Sequence, residues 1–175
     1  LSTSLGQQVV VDNRPSGVIP AEIVAAAPPD GYTLLFYTTA LWITPLLQKT
    51  SYDPVGDFSP ITLAVSSPNL LIVHPSVAAN SVKGLIALAK ARPGELNCGS
   101  SGVGTSAHVA AELFKAMAGV NFIHVPYKGS GVGRVAILAN EVQLNFAPGA
   151  AVAPQIKAGR VRALGTTGLK RSTVL

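Results

Sequence analysis

Hydrophobic and polar positions change period along this chain. Residues 81–91 (SVKGLIALAKA) place Val82, Leu85, Ile86 and Leu88 at helical spacing, and 92–95 (RPGE) ends the run. Val109, Leu113 and Met117 recur every four residues, which predicts a helix reaching residue 118. Further helices are expected at 20–27, from about 41, at 132–139 and at 150–158. The first has Pro20 at its opening position, where a missing N–H costs least, and Thr38 and Thr39 stand ready to cap the second. Short apolar runs bounded by turn residues predict buried strands at 8–12 (QVVVD), 32–37, 61–65, 70–73, 96–98, 122–125, 143–146 and 161–165. Strand and helix alternate through most of the chain, which predicts an α/β fold with a mostly parallel sheet. Residues 1–5 read as the last turn of a helix and the chain leaves soon after a strand, so the pattern reads as truncated at both ends.

Composition narrows the classes. Of 175 residues 48% are hydrophobic and 12% charged, which excludes a disordered chain. No apolar run approaches the roughly 18 residues of a membrane helix, so no direct membrane insertion is expected. The formal charge is +5, but the thirteen Lys and Arg are scattered without interleaved aromatics, which argues against nucleic acid. A positive balance suits a small anionic ligand. Cys98 stands alone, so there is no disulfide framework and no CxxC pair. His74, His108 and His124 show no metal-ligand spacing. His74 and His124 read as structural; His108, one turn into a helix, either shapes the preceding loop or sits on the helix face. Eight acids in the chain argue against paired-carboxylate catalysis. No metal and no cofactor is expected.

The segment with most chemistry is 97–114 (NCGSSGVGTSAHVAAELF). A loop rich in small residues runs into a helix start, where free N–H groups and partial positive charge face outward. Ser100, Ser101, Thr105 and Ser106 add hydroxyls, and Gly102 and Gly104 keep the backbone approachable. The implied ligand is a phosphate or carboxylate. A tight turn whose serines merely cap the helix fits the spacing equally. Residues 99–106 nearly fit a nucleotide P-loop, but Thr105 stands where the lysine belongs. Gly102, Gly104 and Ala107 fit a dinucleotide G-x-G-x-x-A, but residues 121–128 hold no acid for the ribose. A nucleophile elbow is not spaced correctly. The alternative that survives is a nucleotide- or dinucleotide-dependent enzyme using 99–107.

Longer runs carry a resemblance. DNRPSGVIPAEIVAAAPPDGYTLLF (12–36), YDPVGDFSPITLAVSSPNLLIVHPS (52–76), GSSGVGTSAHVAAELFKAMAGV (99–120), HVPYKGSG (124–131) and IKAGRVRALGTTGLKRS (156–172) follow one order. Together they resemble the tripartite tricarboxylate transporter receptors, the TctC-like or Bug extracytoplasmic solute-binding proteins, over essentially the whole chain. The resemblance implies a two-lobed periplasmic-binding-protein fold (type II), with an incomplete first lobe at 1–69 and a second lobe with its return hinge at 70–175. It implies a non-enzymatic, periplasmic receptor that closes on a small organic carboxylate and delivers it to membrane permease subunits. It places ligand contacts on Ser100, Ser101, Gly102, Val103, Gly104, Thr105 and Ser106, with Thr38 and Thr39 from the first lobe and Tyr127 and Lys128 from the second. Segments near 66–73 and 164–168 would be the hinge strands.

Two departures bear on the ligand. The family's Gly-rich turn after Asn13, Arg14 and Pro15 is shortened to Ser16 and Gly17. Its Asp-Asn pair after the strand at 143 is replaced by Asn145, Phe146, Ala147 and Pro148, with no acid, which argues against an amino-acid ligand. A micromolar site needs about 8 kcal/mol, more than one lobe's loop supplies, so residues 1–175 alone are expected to bind weakly or not at all.

Overall fold

The computed structural model describes residues 2–15 and 17–171. The helices among them are α1 (Ser2–Leu5), α2 (Ile19–Ala25), α3 (Ala40–Leu47), α4 (Val82–Ala91), α5 (Ser106–Ala118), α6 (Ser130–Leu138) and α7 (Gly149–Lys157). The strands are β1 (Asn69–Val73), β2 (Asn97–Ser100), β3 (Ile123–Pro126), β4 (Leu144–Pro148) and β5 (Arg162–Thr166).

The strands form one sheet in the order β3-β2-β4-β1-β5. β2 runs parallel to β3 and to β4, while β1 runs antiparallel to β4 and β5. One strand thus reverses an otherwise parallel sheet. The two segments expected as hinge strands lie side by side, with Asn69 donating to Thr167 Oγ1 at 3.0 Å and accepting from the Thr167 N–H at 2.9 Å.

Each face of the sheet carries its own core. β1 alternates between them: Leu71 and Val73 join Leu85, Cys98, Ala111, Phe122, Leu144 and Phe146 on the α4–α5 side. Leu70 and Ile72 join Ala136, Ile137, Val142, Val152 and Val161 on the α6–α7 side. A strand covered on both faces must be apolar at every position, and NLLIV is buried throughout. The Ser81 hydroxyl accepts from the Gly84 N–H at 3.1 Å and caps α4. Ser81→Ala is expected to lower unfolding stability by about 1 kcal/mol, read as a shift of the urea midpoint with unchanged slope.

Helix α5 forms as the spacing predicts, and the face it buries is the alanine one. Ala107 and Ala111 meet the sheet, their small side chains allowing close approach, whereas Val109, Leu113 and Met117 face outward and line an apolar groove of about 640 Å³.

The first third of the chain departs most from expectation. Residues 8–12, 32–37 and 61–65 are not strands; their side chains at Val10, Val11, Tyr32, Leu34, Phe36, Ile61, Leu63 and Val65 are exposed. The residue pattern favours extended backbone, but a strand exists only where a neighbour completes the ladder, and none of the five described strands pairs with these segments. Helix α3 forms as expected, and Pro45 sits inside it. Proline has no N–H to donate back to Leu41, and the Tyr52 hydroxyl donates to that carbonyl instead, at 3.3 Å.

Candidate functional site

The sheet order creates a crevice. From β2 the chain passes through α5 to β3 on one side, then returns through α6 to β4 on the other side of β2. Ligands collect where the order reverses, outside the carboxyl ends of the strands. A cavity of about 270 Å³ lies there. Its wall takes Ser101, Thr105, Ser106 and Ala107 from the start of α5, Gly129, Ser130, Gly133 and Arg134 from the start of α6, Asn145 to Pro148 from β4, and Ala151 and Val152 from the start of α7. Tyr37 and Thr38 close it from the first third of the chain.

Three helix N-termini therefore converge on one cavity. Each presents free N–H groups and roughly half a positive charge. Among the described residues no Asp or Glu lines it, and Arg134 is the one formal charge on its wall. Arg134 Nη1 donates to the Ala151 carbonyl at 3.3 Å, and the guanidinium makes no ion pair among the described residues. Asn145 is 94% buried on the same wall, and its side-chain amide makes no hydrogen bond among the described residues. A methyl group at Gly99 would lie 3.3 Å from its Nδ2, and one at Gly133 3.7 Å, so the amide is wedged between β2 and α6.

The glycine-rich loop divides into parts that face the cavity and parts that hold the loop. Ser101, Thr105 and Ser106 line the cavity. Ser106 Oγ accepts from Asn69 Nδ2 at 3.2 Å, tying α5 to the start of β1. Ser100 is fully buried; its Oγ meets the Gly102 N–H and carbonyl, each at 3.2 Å, and His124 Nε2 at 2.7 Å. The Gly102 carbonyl also accepts from Thr105 Oγ1 at 2.7 Å. The Gly104 N–H goes to His108 Nδ1 at 3.2 Å. Gly102 and Gly104 thus direct their N–H groups to their own chain. Val103 is partly exposed and lines neither cavity.

Thr38 lines the cavity while its Oγ1 accepts from the Ala40 N–H at 3.2 Å, so Thr38 supplies the side-chain bond at the start of α3. Thr39 faces the apolar groove, and its hydroxyl approaches the Gly104 carbonyl at 3.5 Å. Tyr127 lies outside the cavity wall. Its ring packs in the α6–α7 core, and its hydroxyl donates to Glu141 at 3.4 Å. Burial and the Glu141 charge raise its pKa. Lys128 is exposed and lines neither cavity. Sequence reasoning did not place Arg134 on the cavity wall and named Asn145 only for the acid it replaces, though each carries a signal. Arg134 is a lone charge in an apolar helix (GVGRVAIL), and Asn145 a lone amide in a buried strand (LNFA).

Behind the loop, His108 and His124 stack with ring centres 4.1 Å apart. Glu112 approaches His108 Nε2 at 3.9 Å and pairs with Lys115 at 2.8 Å. Burial, with His108 next to it, pushes the His124 pKa down to about 4, against a smaller opposing pull from Glu112. His124 stays neutral in the folded chain at pH values where an unfolded histidine takes up a proton. Stability is therefore expected to fall as pH drops from about 6.5 to about 4. Urea midpoints across that range are expected to fall less for His124→Gln; equal slopes would contradict the assignment. Burial pushes the Cys98 thiol up to about 12, so it is no nucleophile.

Comparison with known proteins agrees with this architecture. Residues 1–175 match the tripartite tricarboxylate transporter family receptor profile. The chain belongs to that receptor family. It is 35% identical over 178 residues to protein BugT of Bordetella pertussis, covering 99% of this chain and 55% of BugT. Among solved structures, the Rhodopseudomonas palustris protein Rpa4515 with adipate superposes with a TM-score of 0.91 at 40% identity, covering 97% of this chain and 58% of that one. The periplasmic binding protein BugD superposes with a TM-score of 0.89 at 30% identity, with coverage of 97% and 58%. The mixed α/β fold is that of these binding proteins, and the chain spans little more than half the length of the relatives it matches. Among the described residues no helix is long and apolar enough to cross a membrane.

Proposed function

We propose that this protein is an extracytoplasmic, periplasmic solute-binding receptor. It captures a small organic carboxylate between two lobes, 1–69 and 70–175, and passes it to the permease subunits of a tripartite transporter without chemical change. The observation that carries this reading is the cavity at the strand-order reversal: three helix N-termini, one unpaired guanidinium and no acid. Family membership and the adipate named with Rpa4515 support the carboxylate class. Ser101, Thr105, Ser106 and Thr38 contact the ligand; Ser100, Gly102, Val103, Gly104 and Thr39 hold the loop. Tyr127 braces the wall, and Lys128 meets the ligand only on closure.

A dinucleotide site at 99–107 would need the Gly102 and Gly104 N–H groups, which are taken by Ser100 and His108. Ser100 and His124 are close enough for a nucleophile–base pair, but Ser100 is fully buried and cannot meet a substrate.

A thermal-shift panel of small carboxylates on the intact encoded chain tests the proposal, with NAD and ATP as controls. A ligand at a hundred times its dissociation constant adds about 2.7 kcal/mol. A clear rise in melting temperature is expected for one carboxylate class. A rise with nucleotides alone would overturn the reading.

A further inference from the structure

Helix α3 meets the glycine-rich loop at Gly104, and the approach is very close. A Cβ at Gly104 would fall 2.7 Å from Thr44 Oγ1, 3.3 Å from the Thr44 nitrogen and 3.6 Å from Ala40 Cα. Ala40 is fully buried there, and Thr44 is 2% exposed. The Gly104 carbonyl faces the Thr39 hydroxyl at 3.5 Å, and the Gly104 N–H is held by His108 Nδ1 at 3.2 Å. Thr44 Oγ1, by contrast, is a buried atom with no hydrogen-bond partner among the described residues. The Gly104 α-carbon stands next to it. A Cα–H is a weak donor, and it leaves the hydroxyl proton without an acceptor.

We propose, on the two-lobe receptor reading above, that the Thr44 hydroxyl is a release device: it weakens the closed seam between 1–69 and 70–175 and so sets how fast bound solute leaves. A buried hydroxyl without a partner is penalised by the water it has lost. Parting α3 from the loop exposes Thr44, and water then restores its hydrogen bonds. The Thr39–Gly104 contact lies at the outer limit of hydrogen-bond length, so it offsets little. Valine has the same shape and nearly the same helix propensity as threonine. Its methyl would pack against Gly104 with no unmet bond, and opening would expose that methyl to water. Threonine therefore leaves the seam weaker than its packing allows. Closure is then populated only while ligand contacts hold it, which suits a receptor that must give up its solute. Thr44 lines neither cavity, so it acts on closure and not on ligand contact.

The test is stopped-flow kinetics on the intact encoded chain with adipate as the probe. Trp42 of α3, two residues before Thr44, reports on the seam by its fluorescence. In Thr44→Val the dissociation rate is expected to fall about tenfold, the worth of one unpaired buried hydroxyl, while the association rate changes less than about threefold. Thr44→Ser keeps the hydroxyl and should dissociate at least as fast as the parent. A purely structural role would move the melting temperature and leave both rates alone. Small-angle scattering without ligand gives a second readout, in which Thr44→Val is expected to be the more compact chain. Unchanged or faster dissociation from Thr44→Val would overturn the proposal and leave the receptor standing. If adipate binds neither chain, scattering decides: a smaller radius of gyration for Thr44→Val supports the proposal, and equal radii overturn it. The receptor reading itself stands or falls on the carboxylate panel above.

Discussion

Replacing Gly104 by valine is expected to disable the site from outside it. Gly104 has φ +76°, in the region that L side chains rarely adopt. A Cβ there would fall 2.7 Å from Thr44 Oγ1 and 3.3 Å from the Thr44 backbone nitrogen. Thr44 is 2% exposed on α3, so it has nowhere to move. The substitution must either push α3 away or pull the loop off His108, whose Nδ1 takes the Gly104 N–H. Pushing α3 moves Thr38 at the cavity mouth; pulling the loop moves Thr105. Strained backbone and overpacking together cost roughly 2–5 kcal/mol, several degrees of melting temperature. Carboxylate affinity is expected to fall at least tenfold at a temperature where the variant is still folded. Unchanged affinity and melting temperature in Gly104→Val would mean that α3 does not dock on the loop.

Asn145→Asp is expected to cost still more affinity without adding volume. The new carboxylate would stand on a buried wall beside the ligand. Two like charges about 5 Å apart repel by about 3 kcal/mol at an effective dielectric of about 20, more than a hundredfold in binding. The aspartate would also compete with the ligand for Arg134, which acts in the same direction. Asn145→Ala, which only removes donors, should lose less. The comparison by calorimetry separates charge from contact: equal losses would show that the cavity does not bind an anion at that wall.

The second half of the chain was legible from its pattern because each strand there finds a partner. Residues 70–73 and 143–146 are short apolar runs buried on both faces, and they pair as β1 and β4. Residues 32–37 have the same look, yet Tyr32 is 93% exposed and the segment joins no described strand. Local sequence specifies extended backbone but not the neighbour that makes it a strand. Helix α5 shows the same limit: its period was readable, but the buried face is the alanine one. At the site, the loop at 100–106 was readable as an anion-binding segment. Which atoms face the cavity was not, because Ser100, His108 and His124 divert the backbone N–H groups through contacts up to 24 residues apart. Arg134 and Asn145 come onto one cavity wall only through the fold.

The most direct test of the carboxylate site is an amide-resolved NMR titration of the intact encoded chain with adipate. The largest shifts are expected at Ser101, Thr105, Ser130, Arg134 and Asn145, with the Asn145 side-chain amide among them. Val109, Leu113 and Met117, on the apolar groove, should scarcely move. Shifts centred on that groove, or shifts at 99–107 produced by NAD and not by any carboxylate, would contradict the account.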